Sequence, residues 1–214
     1  AALAKDTAMI EAFRNGEDIH KATAAKVFEV PLEEVSREQR SNAKTVNFGI
    51  VYGVSAFGLS QQTDMSRKEA KAAIDGYFRT YPGIKSYMDD QVAFARENGY
   101  VETITGRRRY LKDIESRNAV VRGHSERNAV NAPIQGSAAD IIKLAMIEID
   151  RAMRAEGLKS KMLLQVHDEL VFDVVKEELE LLQALVVEKM EAAVDLAVPM
   201  IAEVGTGKTW LEAH

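Results

Sequence analysis

The stretch Arg40-Ser-Asn-Ala-Lys-Thr-Val-Asn-Phe-Gly-Ile-Val-Tyr-Gly53 decides how the first half of this 214-residue sequence folds. It is preceded by Ser36 and Gln39, whose three-residue spacing is a capping-box pattern and predicts the start of a helix. We therefore predict a helix over about residues 36–52.

The predicted helix has two different faces when its residues are placed 100° apart. The apolar face, which predicts the contact with the core, consists of Ala43, Val46 and Ile50. The other face repeats every four residues and consists of Arg40, Lys44, Phe48 and Tyr52. This second face has two interpretations. It is either a surface whose rings pack on a neighbouring lobe, or a nucleotide platform with cations for a triphosphate and a ring for a sugar or base.

Capping and stop signals place further helices around this segment. They predict helices over about residues 7–16, 19–28, 67–81 and 84–98. After residue 100 the pattern changes to short strands mixed with helices. It predicts a β-like segment over 100–104, helices over about 117–128, 134–156 and 177–196, a hairpin of strands 161–166 and 170–175, and a last strand near 200–204.

The predicted fold class is therefore α+β. A mainly helical lobe is followed by a lobe with a small antiparallel sheet that carries an acidic hairpin tip. We place the first lobe at residues 1–100 and the second at 101–214.

The predicted hairpin tip is His167-Asp168-Glu169. A carboxylate held on a rigid turn is a suitable hard-oxygen ligand for Mg²⁺. Because neighbouring strand residues point to opposite faces, Asp168 and Glu169 are not both expected to bind one ion directly. The alternative is an ordinary polar turn, for which Asp is a preferred residue. Zinc is disfavoured, since His167 has no partner at zinc-ligand spacing.

Composition restricts the class of protein. The hydrophobic fraction is 46%, the formal net charge is -5, and there is no cysteine, which excludes disulfides and thiolate metal sites. Basic residues are in excess between Arg96 and Arg127, whereas acidic residues are in excess after Glu148. A local basic stripe on an acidic protein can still bind phosphates, although a solvated surface is the alternative.

There is no membrane-length apolar run and no signal peptide, so we expect a cytoplasmic protein without a membrane partner.

Several motifs, in one collinear order, resemble the family A DNA polymerases, and in particular the C-terminal fingers and palm of bacterial members. The stretch Arg40–Gly53 resembles the family's motif B, and Gln165–Glu169 resembles its motif C. Matching segments between and around them are Asp18-Ile-His20, Tyr81-Pro82-Gly83, Asn131-Ala-Pro-Ile-Gln135-Gly and Thr209-Trp-Leu-Glu-Ala-His214. The resemblance implies residues 1–100 as fingers and residues 101–214 as the remaining fingers helices and part of the palm.

The resemblance also implies a role for individual residues. The nucleotide would be bound by His20, Arg40, Lys44, Phe48 and Tyr52, with Lys44 also acting in catalysis. Primer-template DNA would be contacted by Arg127, Asn131, Gln135 and His167, with Arg107 and Arg108 as further candidates for its backbone. Asp168 would be the metal ligand and catalytic residue, and Glu169 would support it.

The family's reaction implies a cofactor and further partners. It joins a dNTP to a primer 3′-OH, and two Mg²⁺ ions are held by two aspartates. The second aspartate belongs to motif A, which we do not find in this sequence, and neither the thumb nor the exonuclease domains are present. We therefore expect a fragment that is inactive alone and needs the remaining part of the polymerase chain.

Two alternatives stay open. The first is a non-catalytic DNA-binding module, such as half of a split polymerase. The second, which Phe48, Glu169 and the Trp210–His214 ending disfavour, is a fragment of a single-subunit RNA polymerase.

Overall fold

A computed structural model describes residues 1–213 of the chain. Its α-helices are α1 Thr7–Arg14, α2 Ile19–Val27, α3 Arg37–Val51, α4 Ala56–Ser60, α5 Arg67–Thr80, α6 Pro82–Asn98, α7 Ala119–Ala155, α8 Leu179–Glu191 and α9 Trp210–Ala213. Its strands are β1 Tyr100–Glu102, β2 Arg108–Tyr110, β3 Lys161–Val166 and β4 Glu169–Asp173. The chain divides into two compact units, one over Ala1–Gln135 and one from Gly136 onward.

The first unit is mainly helical, and α1, α2, α3 and α5 begin where the capping signals predict. The Ser36 side chain accepts a hydrogen bond from the N–H of Gln39, and the Gln39 side chain accepts one from the N–H of Ser36. Buried apolar side chains from α1, α3, α4, α5 and α6, and from Tyr81 between α5 and α6, form the core, among them Met9, Val46, Ile50, Leu59, Tyr77 and Ile84. Burial of side chains of this size stabilises the fold by roughly 1.5–3 kcal/mol each.

A second apolar cluster in this unit carries the β1–β2 hairpin. The two strands pair antiparallel, with Val101 opposite Arg109. Val101 packs with apolar residues from α6, from the segment after β2 and from the first half of α7, namely Ala95, Leu111, Ile114, Ala129 and Ala132.

The second unit contains the rest of α7, the β3–β4 hairpin and α8. Strands β3 and β4 pair antiparallel, with Val166 opposite Glu169 next to the turn. Helices α7 and α8 enclose a small core of Ala145, Ile149, Met153, Leu182, Leu185 and Val186. The α+β fold class predicted from the sequence is confirmed by this arrangement of helices and two small antiparallel sheets.

Two predicted elements are wrong. The sequence predicts two helices separated near Pro133, whereas α7 continues through this proline. Pro133 removes one backbone donor, but its neighbours Ala129, Val130 and Ala132 are all buried, and their burial outweighs the local penalty.

The second error is the strand near 200–204, where the structure has no strand. A strand needs a paired neighbour, but here the N–H of Ala202 donates to the Glu191 carboxylate at 3.0 Å. The predicted helix over 177–196 is also shorter, because α8 ends at Glu191.

The division between the two compact units lies after Gln135, whereas the sequence suggested a boundary at residue 100. The β1–β2 hairpin and the start of α7 pack with α6, and they therefore belong to the first unit. The names fingers and palm for the two parts of the chain stay a prediction.

Candidate functional site

Helix α3 has the two faces that its sequence predicts. Ala43, Val46 and Ile50 are buried, with at most 2% exposure. The side chains of Arg40, Lys44, Phe48 and Tyr52 are exposed, and the two rings retain 52% and 53% of their accessible surface. We call these four residues the α3 ridge. Two large aromatic rings that remain half exposed beside two cations form a surface suited to a flat, anionic ligand.

Asp18 connects α2 to the first turn of the α3 ridge. One oxygen of its carboxylate caps α2 by accepting from the N–H groups of His20 and Lys21, both at 3.0 Å. The other oxygen accepts from Arg40 Nε at 2.7 Å. Burial alone would raise the pKa of Asp18, but the hydrogen bonds from Arg40 and the backbone hold that pKa below its usual value. The guanidinium of Arg40 is thereby held at one end of the ridge.

His20 lies at the contact between α2 and α3. Its Nδ1 is 2.9 Å from the Nδ2 of Asn47, and its ring centroid is 5.7 Å from that of Phe48. The structure therefore brings His20 next to the α3 ridge, and the shared nucleotide site that the resemblance implies stays a prediction.

A groove of about 460 Å³ runs along the outer side of α3. The residues that line it include Lys44, Thr45, Phe48, Tyr52, Val54 and Gln62. It combines apolar walls with a cation, a composition typical of sites that bind small organic anions.

Gly53, directly after α3, lies against Arg127 on α7. Gly53 adopts a left-handed backbone with φ of 71°, and a Cβ at this position would lie 2.7 Å from Arg127 Cγ. The glycine therefore serves two needs: the backbone turn and the close passage of the arginine stem. Gly53 therefore connects the end of the α3 ridge with Arg127, which is the first of the predicted DNA-contacting residues on α7.

Arg127, Asn131 and Gln135 lie four residues apart on α7, so they share one face of the helix. Arg127 and Gln135 are exposed, whereas Asn131 is half-buried. The Oδ1 atom of Asn131 is buried without a hydrogen-bond partner within residues 1–213. A buried amide oxygen without a donor costs about 1–3 kcal/mol, so a bound water or ligand group at this position is favoured.

In the second unit, the β3–β4 hairpin closes with a tight turn at His167 and Asp168. His167 takes a left-handed backbone with φ of 54°, a conformation that few non-glycine residues adopt. The Gln165 side chain donates to the carbonyl of His167 and supports this turn. Asp168 is exposed, whereas Glu169 is half-buried at the start of β4. The two carboxylates are therefore in different environments.

The same hairpin tip is the candidate metal site. Within residues 1–213, no three His, Cys, Asp or Glu side chains come together as a metal-binding group. An exposed carboxylate such as Asp168 nevertheless fits Mg²⁺, which takes one or two protein carboxylates and completes its shell with water and phosphate oxygens.

Arg108, a further candidate for the DNA backbone, is engaged locally. Its Nε donates to Glu102 at 2.8 Å, and its guanidinium lies 4.3 Å from the ring centroid of Tyr100. Both contacts are within the β1–β2 hairpin, so Arg108 stabilises this hairpin.

Sequence reasoning missed one residue of the site, Asn47. It lies between Val46 of the buried face and Phe48 of the ridge, and it binds His20. An asparagine in a helix interior is disfavoured by propensity, and this was the only signal that could have identified it.

The comparisons with known proteins agree on one family. Residues 1–212 match the sequence profile of DNA polymerase family A. DNA polymerase I of Streptococcus pneumoniae serotype 4 is 55% identical over 214 residues, which cover 100% of this chain and 24% of that protein. DNA polymerase I of Geobacillus stearothermophilus is 53% identical over 213 residues, with the same coverage of both proteins. The chain thus spans about a quarter of the length of these relatives.

A solved structure also matches the entire chain. It is the POL domain of Pol1 from M. smegmatis in complex with DNA primer-template and dNTP, with a TM-score of 0.95 and 48% sequence identity. The match covers 100% of this chain and 38% of that one. Since sequence and fold agree from one end of the chain to the other, this chain belongs to DNA polymerase family A.

Proposed function

We propose that this chain forms the nucleotide-binding and part of the DNA-binding surface of a template-directed DNA polymerase. In the proposed reaction, the primer 3′-OH loses its proton to water, and its oxygen bonds to the α-phosphorus of a dNTP. The bond to the α–β bridging oxygen breaks, and pyrophosphate leaves. The observation that carries the proposal is the α3 ridge, with its two cations and two half-exposed rings on one side of a single helix.

The ridge residues have distinct proposed roles. Arg40 and Lys44 bind the triphosphate, and Lys44 also neutralises charge as the phosphoryl group is transferred. The Phe48 ring lies against the sugar one turn further along, and Tyr52 lies towards the template base. His20 adds a donor to the same triphosphate, since it contacts both Asn47 and the Phe48 ring.

Primer-template DNA is the proposed partner of the other candidate residues. Arg127, Asn131 and Gln135 share a face of α7, and the unpartnered Oδ1 of Asn131 supports a contact with a donor on the nucleic acid or a bridging water. In the second unit, His167 on the β3–β4 turn is proposed as a separate DNA contact. Contacts to the sugars and phosphates position a duplex without reading its base sequence. A polymerase that copies any template requires contacts of this kind.

Asp168 is the proposed protein ligand for divalent metal, and Glu169 supports the site. Two Mg²⁺ ions, when bound, stabilise the attacking and leaving oxygens of such a displacement. We propose that residues 1–214 need a further aspartate from the rest of the polymerase, because the family's reaction uses two aspartates and motif A, which supplies the second, is not found in this sequence. We therefore propose that they do not catalyse the reaction alone.

A cellular role in DNA replication and repair follows from this proposal, with the bacterial cytoplasm as its location. None of the helices in the described part of the chain is long and apolar enough to cross a bilayer. The match to a DNA polymerase family favours this function over that of an RNA polymerase.

Single-turnover incorporation by the intact polymerase, at varied dNTP concentration, tests the proposal. Lys44→Ala is expected to weaken the apparent dNTP affinity and to lower the maximal rate, each by tenfold or more. Each tenfold change corresponds to about 1.4 kcal/mol. The matched control is Lys68→Ala, an exposed lysine on α5. If Lys44→Ala behaves like the control, the α3 ridge is not the nucleotide site.

A further inference from the structure

The side-chain amide of Asn47 lies between His20 and Thr23, where α3 packs on α2. Its Nδ2 is 2.9 Å from His20 Nδ1, and its Oδ1 is 3.2 Å from Thr23 Oγ1. The Thr23 hydroxyl is also 3.2 Å from that of Tyr81, and both of these residues are fully buried. On the side away from His20, Asn47 Oδ1 therefore shares the single proton of the buried Thr23 hydroxyl with the Ile19 carbonyl oxygen, which is 2.7 Å from Thr23 Oγ1.

This arrangement selects one tautomer of His20. An amide NH₂ only donates, so Nδ1 of the imidazole accepts in this contact. A neutral imidazole that accepts at Nδ1 carries its proton on Nε2. The Phe48 ring, tilted by 47° to the imidazole at 5.7 Å, further restricts the orientation of His20.

Burial and two nearby cations favour the neutral form of His20. Burial lowers its pKa most, Asp18 at the start of α2 partly offsets this, and Arg40 and Lys44 on α3 lower it further. A neutral imidazole donates from one nitrogen only, so the position of that single proton decides what His20 offers to a ligand.

We infer that Asn47 is a positioning residue for nucleotide binding, because its donation to His20 Nδ1 keeps Nε2–H available to a phosphate oxygen of the nucleotide. The inference deepens and rests on the proposed function, which takes His20 and the α3 ridge as the triphosphate site. Without a donor at position 47 the proton can occupy Nδ1, and Nε2 then presents a lone pair to the anion. Loss of one hydrogen bond to a charged group weakens binding by about tenfold.

Asn47→Asp in the intact polymerase tests this role. Aspartate has the same size as asparagine but only accepts, so it draws the proton to Nδ1. Nε2 then carries a proton only while His20 is an imidazolium. Relative to the wild type, the dNTP affinity of the variant is expected to fall about tenfold between about pH 6 and about pH 9. At each pH the affinity of the variant is divided by that of the wild type. Protonation of the nucleotide affects both affinities equally and therefore cancels.

Two controls separate positioning from charge and from folding. Asn42→Asp introduces the same charge on another face of α3, and it is expected to leave the pH dependence of the affinity unchanged. In a His20→Ala background, Asn47→Asp is expected to have little further effect on dNTP affinity. If Asn47→Asp does not fold, Asn47→Ala replaces it, and its effect must also vanish without His20.

The outcomes distinguish the inference from the proposed function. Equal losses from Asn47→Asp with and without His20, or an affinity ratio that does not change with pH, would overturn the role of Asn47 and leave the function standing. An unchanged dNTP affinity in His20→Ala alone would remove His20 from the nucleotide site, and the inference would fall with it.

Discussion

The Cγ atom of Arg127 lies where a side chain on Gly53 would begin, since a Cβ there would come within 2.7 Å of it. Gly53 ends the helix that carries the α3 ridge, and Arg127 begins the polar face of α7. The missing side chain therefore allows the two candidate surfaces of the first unit to approach each other.

Gly53→Ala is expected to weaken both stability and DNA binding. A left-handed alanine costs about 1–2 kcal/mol, and the arginine stem must also move. Unfolding experiments and DNA titrations measure the two effects. Gly99→Ala is the matched control, because Gly99 has φ of 76° but a Cβ added there would meet nothing within 4 Å. Equal DNA affinities of the two variants would contradict a role for the contact with Arg127.

Phe48→Tyr is expected to relax discrimination against dideoxynucleotides in the intact polymerase. A phenylalanine ring has no hydroxyl, so the site relies on the substrate's own 3′-OH, and its absence leaves a polar partner unsatisfied. A tyrosine hydroxyl can replace that hydrogen bond. The measurement is the ratio of incorporation efficiencies for dNTP and ddNTP, expected to fall at least about tenfold with little loss of ordinary synthesis.

Phe57→Tyr makes the same change at an exposed ring on α4 and serves as the control. Equal ratios in Phe48→Tyr and wild type would mean that Phe48 does not lie at the sugar. The placement of the nucleotide on α3 would then have to be withdrawn.

Asp168→Ala is expected to abolish nucleotide incorporation by the intact polymerase and to leave DNA binding largely intact. Asp168 is exposed in a turn, so its loss leaves no cavity, and its proposed role is at the metal. Primer extension and equilibrium DNA binding report the two properties. Asp173→Ala, at the far end of β4, is the control within the same hairpin. A parallel loss of DNA binding would make Asp168 a folding residue.

The isolated 214-residue chain is expected not to extend a primer with dNTPs and Mg²⁺. The reason is that the family's reaction uses two metal-binding aspartates, and motif A, which supplies the second, is not found in this sequence. Extension assays on purified chain check this, with an Asp168→Ala preparation as the control for contaminating polymerase. Template-dependent extension that disappears in the Asp168→Ala preparation would refute the expectation.

His20 is expected to make the folded chain less stable in acid. Burial first, then Arg40 and Lys44, hold its folded pKa below the usual value of about 6.5, against the opposing effect of Asp18. The unfolded chain thus binds the proton more readily. The stability contributed by the neutral ring is present above the unfolded pKa and is lost as pH falls through the folded pKa.

The measurement is the denaturation midpoint between about pH 8 and about pH 5. In His20→Gln the denaturation midpoint is expected to fall less steeply as the pH is lowered. His124→Gln, at an exposed position, is expected to show the same fall as the wild type. Identical declines in wild type and His20→Gln would show that His20 does not contribute.

The sequence by itself determined the features that depend on local spacing. The capping box at Ser36 and Gln39 set the start of α3, and a four-residue repeat separated Arg40 and Lys44 from the buried face. Such features are readable because hydrogen bonds between neighbours and helical periodicity are local. The order of motifs was likewise enough to indicate the family.

Tertiary structure decided what depends on residues distant in sequence. Pro133 stays within α7 because its neighbours are buried, and residues 200–204 form no strand because Ala202 binds Glu191 instead of a neighbouring strand. The contacts of Asn47 with His20 and of Gly53 with Arg127 join positions that no local pattern relates. Packing free energy and the satisfaction of buried polar groups are properties of the folded chain, so these relationships appear only when the helices are brought together.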